Sequence, residues 1–232
     1  MASPATAGQL VDALWAARSA DELAKVRKRL SDDEEAFGLR MRELFDLAKA
    51  ATDLSLTEVH RLLDHPAYEP RMAAMCILDF QARRRLDHDQ RQARYATYLD
   101  RHDRITTWDM VDRAAPRVIG GTLVGRPAYP LLDLAASTDP LRRRTAITAP
   151  LHFIRHGGEE DLAHGFAVAA LLADDHDPTV AKPVGIFLKH ASTRDATGVR
   201  RFLNDHAGAM PRPAVRIAAE KLEAGLRDRY LS

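Results

Sequence analysis

The chain has 232 residues, a formal net charge of +1 and 29% charged residues, so it is long enough to bury a substantial core and announces no general affinity for polyanions. One cysteine excludes an intramolecular disulfide and suits a reducing compartment. No stretch approaches the roughly 20 apolar residues of a spanning helix, and the opening MASPATAG lacks the basic and apolar regions of a signal peptide, so a cytoplasmic protein with no membrane contact is expected. In chain order, residues 8–17 and 21–30 read as a first helix pair, with Leu10, Leu14 and Ala17 on one face. The run KVRKRL, Lys25 to Leu30, reads as a solvated basic helix face. Helices follow at 39–51 and 54–63, the second ending near Asp64-His65-Pro66. Residues 69–85 form a long helix with MAAMCILDF at its centre and three arginines complementing the dipole at its end. Cys76, among Met75, Ile77 and Leu78, reads as a core thiol. Residues 87–99 are polar and helical.

The stretch ITTWDMVDRAAPRVIGG, Ile105 to Gly121, organises the rest. Thr107 is a suitable N-cap, and Gly120-Gly121 reads as the C-terminal stop. Trp108, Val111, Ala115 and Val118 recur at helical spacing as one apolar stripe. Asp112 lies four residues after Trp108, so ring and carboxylate are neighbours on the helix surface. An aromatic face beside a border carboxylate can stabilise a cation. A buried tryptophan above an exposed aspartate is the bland alternative. Asp109 sits further round and reads as a solvated first-turn acid.

Helices are expected next at 126–137, with Pro127 at the start, and at 140–155, capped by Asp139 and kinked at Pro150. In the latter, Arg144 shares the stripe of Ile147, Leu151 and Ile154, so its charge must be paired, face a polar ligand or lie where the stripe ends. Helices at 159–172, 178–189, 194–204 and 213–227 complete the set. No segment alternates at strand period. About twelve short helices in antiparallel pairs, at intervals of about 35–45 residues, predict an all-α, HEAT-like helical-repeat solenoid forming one continuous domain over residues 1–232.

Metal binding is not expected: there is no HExxH, and His152 and His156 have no evident third ligand. There is no Walker-type loop, no GxGxxG after a strand and no nucleophile motif, so no cofactor is expected.

At these residues the chain resembles the HEAT-like-repeat DNA glycosylases of the AlkD type. TTWDMVDRAAPRVIGG looks like their central motif, with Trp108, Asp112, Pro116 and Gly120 matching in order. Phe37-Gly38-Leu39 resembles their early glycine turn, LRRRTAI their arginine-bearing helix at Arg144, and VAKPVGIFLK a later basic helix ending at Lys189. The similarity covers about residues 20–225. Where that later helix usually carries a tryptophan after its glycine, this chain has Ile186 then Phe187.

The resemblance implies excision of cationic N3- and N7-alkylated purines, bulky adducts included, from double-stranded DNA by a monomer. Asp112 would oppose the positive charge growing at C1′, Trp108 would pack against the sugar, and Arg144 and Lys189 would hold flanking phosphates. A non-catalytic HEAT-repeat binder of damaged or branched DNA and a protein-interaction scaffold are the alternatives. Base release and salt-dependent DNA affinity separate the three.

Overall fold

A computed structural model describes residues 3–231. Among them there is no strand; one isolated bridge joins Glu35 and Ala67. The helices are α1 (Ala7–Ala16), α2 (Ala20–Val26), α3 (Met41–Ala50), α4 (Leu56–Leu63), α5 (Tyr68–Ala82), α6 (His88–Asp100), α7 (Trp108–Ala115), α8 (Gly121–Leu123), α9 (Tyr129–Ala135), α10 (Pro140–Thr148), α11 (Phe153–His156), α12 (Glu159–Leu171), α13 (Pro178–Ala191), α14 (Ala196–His206), α15 (Arg212–Ala218) and α16 (Ala224–Leu231). The chain divides into two compact units, Met1–Ala114 and Ala115–Ser232. No helix among the described residues is long and apolar enough to cross a membrane.

The all-α expectation holds, and the helices slightly exceed the expected dozen because three long ones break. The 140–155 helix passes into a 3-10 turn at Ala149–Leu151, where Pro150 lacks a donor, and resumes as α11. The 213–227 helix likewise breaks at Ala219–Lys221 into α15 and α16. After α7, Pro116–Gly120 is a π-helical turn. The expected stop at Gly120-Gly121 is corrected. Both glycines are right-handed helical (Gly120 φ −57°, Gly121 φ −63°), and the chain continues through them into α8. Gly120 is needed for close approach instead: a Cβ there would lie 2.2 Å from the Ala149 carbonyl oxygen. The left-handed residue past the helix is Gly125, at φ +68°. Pro127 also falls before its helix, and Pro130 occupies the first turn of α9.

In the first unit α5 is the central helix, packed on by α1, α3, α4 and α6. It is buried almost all round. Three of the buried polar groups on it hold loops, and Asp79 pairs with arginines. Glu69 accepts from the Phe37 and Gly38 amides (2.8 Å each), and Gln81 donates to the Thr52 and Leu54 carbonyls (3.0 and 2.8 Å). Arg71 pairs with Glu34, and Asp79 accepts from Arg83 (2.7 Å). Gly38 stands at φ +86° against the Leu23 backbone, a conformation and a closeness that only glycine meets.

In the second unit α10, α13 and α15 pack in succession, with α9 against α10 and with α12 and α14 against α13. Asp139-Pro140 and Asp177-Pro178 start α10 and α13 in the same way. Each aspartate accepts from the amide two residues on (2.8 Å), and each proline occupies a position that needs no donor. This recurrence is the local mark of the structural repeat.

Candidate functional site

Trp108 and Asp112 lie on α7 and line one cavity of about 340 Å³, together with Arg29, Met41, Phe45, Met72, Asp109 and Arg113. All eight residues belong to the first unit. The helical spacing therefore brings ring and carboxylate into one wall, as the sequence predicts. The packing of the ring differs. Val111, Ala115 and Val118 are buried, but Trp108 is 49% exposed. Trp108 opens the first turn of α7, where the stripe has run out from the core onto the cavity rim. A large indole left half in water forgoes part of its transfer free energy; Trp15, Tyr129 and Leu171 are exposed too, but only Trp108 shares a cavity wall with Asp112.

The apolar wall opposite comes from α3 and α5: Met41, Phe45 and Met72. Arg113 closes one side. Its guanidinium stacks over Phe45 (4.4 Å) and Phe80 (4.6 Å) and pairs with fully buried Asp79 (3.1 Å), so its charge is matched by the protein. The Cys76 thiol lies under the same helix region, and burial pushes its pKa up to about 12.

Asp109 corrects a second expectation. It is not a solvated acid: its side chain is 12% exposed and sits in a network. The Tyr68 hydroxyl donates to Oδ2 (2.7 Å), the Thr107 hydroxyl donates to Oδ1 (2.5 Å), and Arg29 stands 3.4 Å from Oδ2. The Tyr68 hydroxyl is held far above its ordinary pKa, first by burial and then by the Asp109 charge. Tyr68 therefore stays a donor, and Asp109 stays its acceptor. Helical position alone placed Asp109 outward; the approach of α5 and of the 3-10 turn Arg27–Arg29 covers it. That same turn corrects the solvated reading of KVRKRL at one residue, because Arg29 enters the cavity wall. Nothing in the local sequence distinguishes Arg29 from Arg27 or Lys28. Only its tertiary proximity to Tyr68 and Asp109 does.

The sequence profile of the DNA alkylation repair enzymes matches residues 10–222. The chain belongs to the DNA alkylation repair enzyme family. No curated protein matches it. Family membership gives a role in the repair of alkylation damage and agrees with the helical fold.

The other two residues singled out in this repair protein lie in the second unit. Arg144 on α10 is only 4% exposed, and its Nη1 donates to the Thr179 carbonyl in the first turn of α13 (2.6 Å). The stripe at Arg144 is thus truly internal, and a backbone carbonyl meets the buried guanidinium there. An Arg144 presented to solvent is not what the packing gives. Lys189, near the other end of α13, is a quarter exposed and pairs with Glu220 (2.6 Å). The ten residue steps from Thr179 to Lys189 span about 15 Å of helix. Ile186 is half-buried, whereas Phe187 is buried against the place where Gly165 has no side chain. Phe187 therefore offers no exposed ring in place of the family tryptophan.

A larger cavity, about 720 Å³, lies between α12 and α14 and is lined by Phe166, Phe202, Arg194, Arg201 and others. It contains none of the residues above and lacks the pairing of an exposed indole with a carboxylate, so size alone does not make it the site. His152 and His156 stack at 4.4 Å, and among the described residues no group of three His, Cys, Asp or Glu side chains could hold a metal ion.

Proposed function

We propose that the chain is a DNA glycosylase that hydrolyses the N-glycosidic bond of cationic N3- and N7-alkylated purines in duplex DNA, bulky adducts included. The observation that carries this reading is the half-exposed Trp108 beside Asp112 in one cavity of the first unit. A cationic purine leaves as a neutral base and needs no general acid. The barrier then lies in the positive charge that grows on the sugar, as in other glycosyl transfers. The Asp112 carboxylate would oppose that charge at C1′ and orient the incoming water. The Trp108 face would pack on the sugar and favour the same cation. Lys189 would reach a flanking phosphate by exchanging Glu220 for it. Arg144 would contribute through the first turn of α13 that it holds, and by its field.

The test is release of 7-methylguanine, and of a bulkier N3-adenine adduct, from duplex DNA by the wild-type chain and by Asp112→Asn. Asparagine keeps the volume and polar contacts but removes the charge. Release by the variant should fall by about 10²–10³, the cost of removing one preorganised electrostatic group. Release as fast as wild type would refute the mechanism. The second reading, a non-catalytic binder of damaged duplex, is favoured by Ile186, which leaves α13 without the second aromatic wall. It takes over if neither protein releases any adduct while both bind the damaged duplex.

A further inference from the structure

The roles given to Trp108 and Asp112 leave one cation of the cavity unassigned. We propose that Arg29 is a phosphodiester-binding residue at the mouth of the Trp108–Asp112 cavity, and that Tyr68 and Asp109 are a buried pair that positions it. The proposal rests on the DNA-repair reading of this cavity and adds a contact to it.

Arg29 differs from the other arginines around the site. Arg71 is buried and spent on Glu34. Arg113 is sandwiched between two phenylalanine rings and spent on Asp79. Arg29 keeps 36% of its side chain exposed, while its guanidinium carbon lies 5.4 Å from the Tyr68 ring centroid. Its polar contacts are long. Nη1 stands 3.4 Å from Asp109 Oδ2, and Nη2 stands 3.5 Å from the Tyr68 hydroxyl. A charge-assisted bond at full strength is about 2.7–2.9 Å. Asp109 instead gives its short bond, 2.7 Å, to the Tyr68 hydroxyl. The guanidinium is therefore aimed by the protein and not consumed by it, and it carries five donors in a planar fork that suits a phosphate.

Asp109 also resolves a conflict of charge. A bare guanidinium next to Asp112 would oppose the cation that the carboxylate is there to stabilise. Asp109, 3.4 Å away, offsets part of the Arg29 field inside the cavity and leaves donors of the fork for a phosphate at its mouth. Arg27 and Lys28, both exposed, extend the same turn and add attraction for a polyanion.

The experiment measures binding of a labelled duplex carrying a stable tetrahydrofuran abasic site, across 50–200 mM KCl, by wild type, Arg29→Gln, Arg29→Lys, Tyr68→Phe and the Arg29→Gln/Tyr68→Phe double variant. Arg29→Gln should weaken binding about tenfold, the size of one hydrogen bond to a charged group. It should also reduce the slope of log K against log salt by up to about 0.9. Arg29→Lys should keep the slope with weaker binding, because it keeps the charge and loses the fork. Tyr68→Phe, which keeps the ring, should weaken binding less than Arg29→Gln and have no further effect in its background. A merely structural tyrosine would give additive losses. If wild type binds steeply with salt and Arg29→Gln matches it in affinity and slope, the Arg29 proposal is overturned and the DNA reading stands. If wild type shows no salt-dependent binding, both fall. Should Arg29→Gln fail to fold, Arg29→Lys decides: wild-type affinity would overturn the proposal, and weaker binding at full slope would support it.

Discussion

In the cavity beside α7 an indole stands half in water next to a carboxylate, whereas at the seam of α10 and α13 a guanidinium is buried against a carbonyl. Both groups stand on apolar helical stripes, and both depart from what polarity alone assigns. Their departures have opposite meaning. Exposing half of Trp108 forgoes part of the transfer free energy that a buried indole gains, and it leaves a ring face at the cavity where a ligand can pack. Burying Arg144 costs desolvation that a hydrogen bond inside the protein partly repays, so the gain is structural. The first departure supports the proposed site, and the second ties α10 to the first turn of α13.

The sharpest test of this contrast is Asp112→Asn. It should lower base release by about 3–4 kcal/mol of transition-state stabilisation. Its thermal midpoint should stay close to wild type, since the side chain sits on the rim. A loss of folding that accounts for the lost rate would erase the distinction. Asp109→Asn comes next, and it should behave differently despite lying on the same helix. It removes the charge that accepts from Tyr68 and Thr107 and pairs with Arg29, so a stability loss of about 1.5–3 kcal/mol by urea denaturation is expected. Unchanged stability would return Asp109 to the solvent.

Arg144→Ala should cost about 1–3 kcal/mol, because the Thr179 carbonyl loses a partner in a buried place. In a domain of this size each kcal/mol corresponds to about 2–4 °C in thermal midpoint. A variant that loses DNA affinity at unchanged midpoint would move Arg144 from the structural region to the binding one. Trp108→Ala should have the smallest effect on stability, within about 1 kcal/mol, while lowering DNA affinity or base release. A loss of about 3–5 kcal/mol, usual for a core indole, would show that the ring packs as core after all.

Much of this architecture is legible from helical period and breakers. The absence of strand-length alternation, the cap at Asp139 and the interruption at Pro150 all follow from local chemistry. The Trp108–Asp112 pairing is legible for the same reason, since four residues make a turn. Four features are not. Gly120 looks like a stop, because the sequence does not carry the Ala149 carbonyl that a Cβ would strike. Asp109 looks solvated, because its cover comes from Tyr68 and Arg29, both distant in sequence. Arg29 looks like any residue of a basic run. The polar residues of α5 are hidden too, because Glu69 and Gln81 acquire their meaning only when loops deliver backbone groups to them.

Cys76 carries a consequence of a different kind. A protein that works on alkylation damage meets the electrophiles that cause it, and a thiolate is the side chain they attack most readily. The chain has one cysteine, fully enclosed in α5 and with its pKa pushed up to about 12. At neutral pH it is a protonated sulfur out of reach of solvent. The repair protein thereby keeps its most alkylatable atom chemically silent for as long as the first unit stays folded.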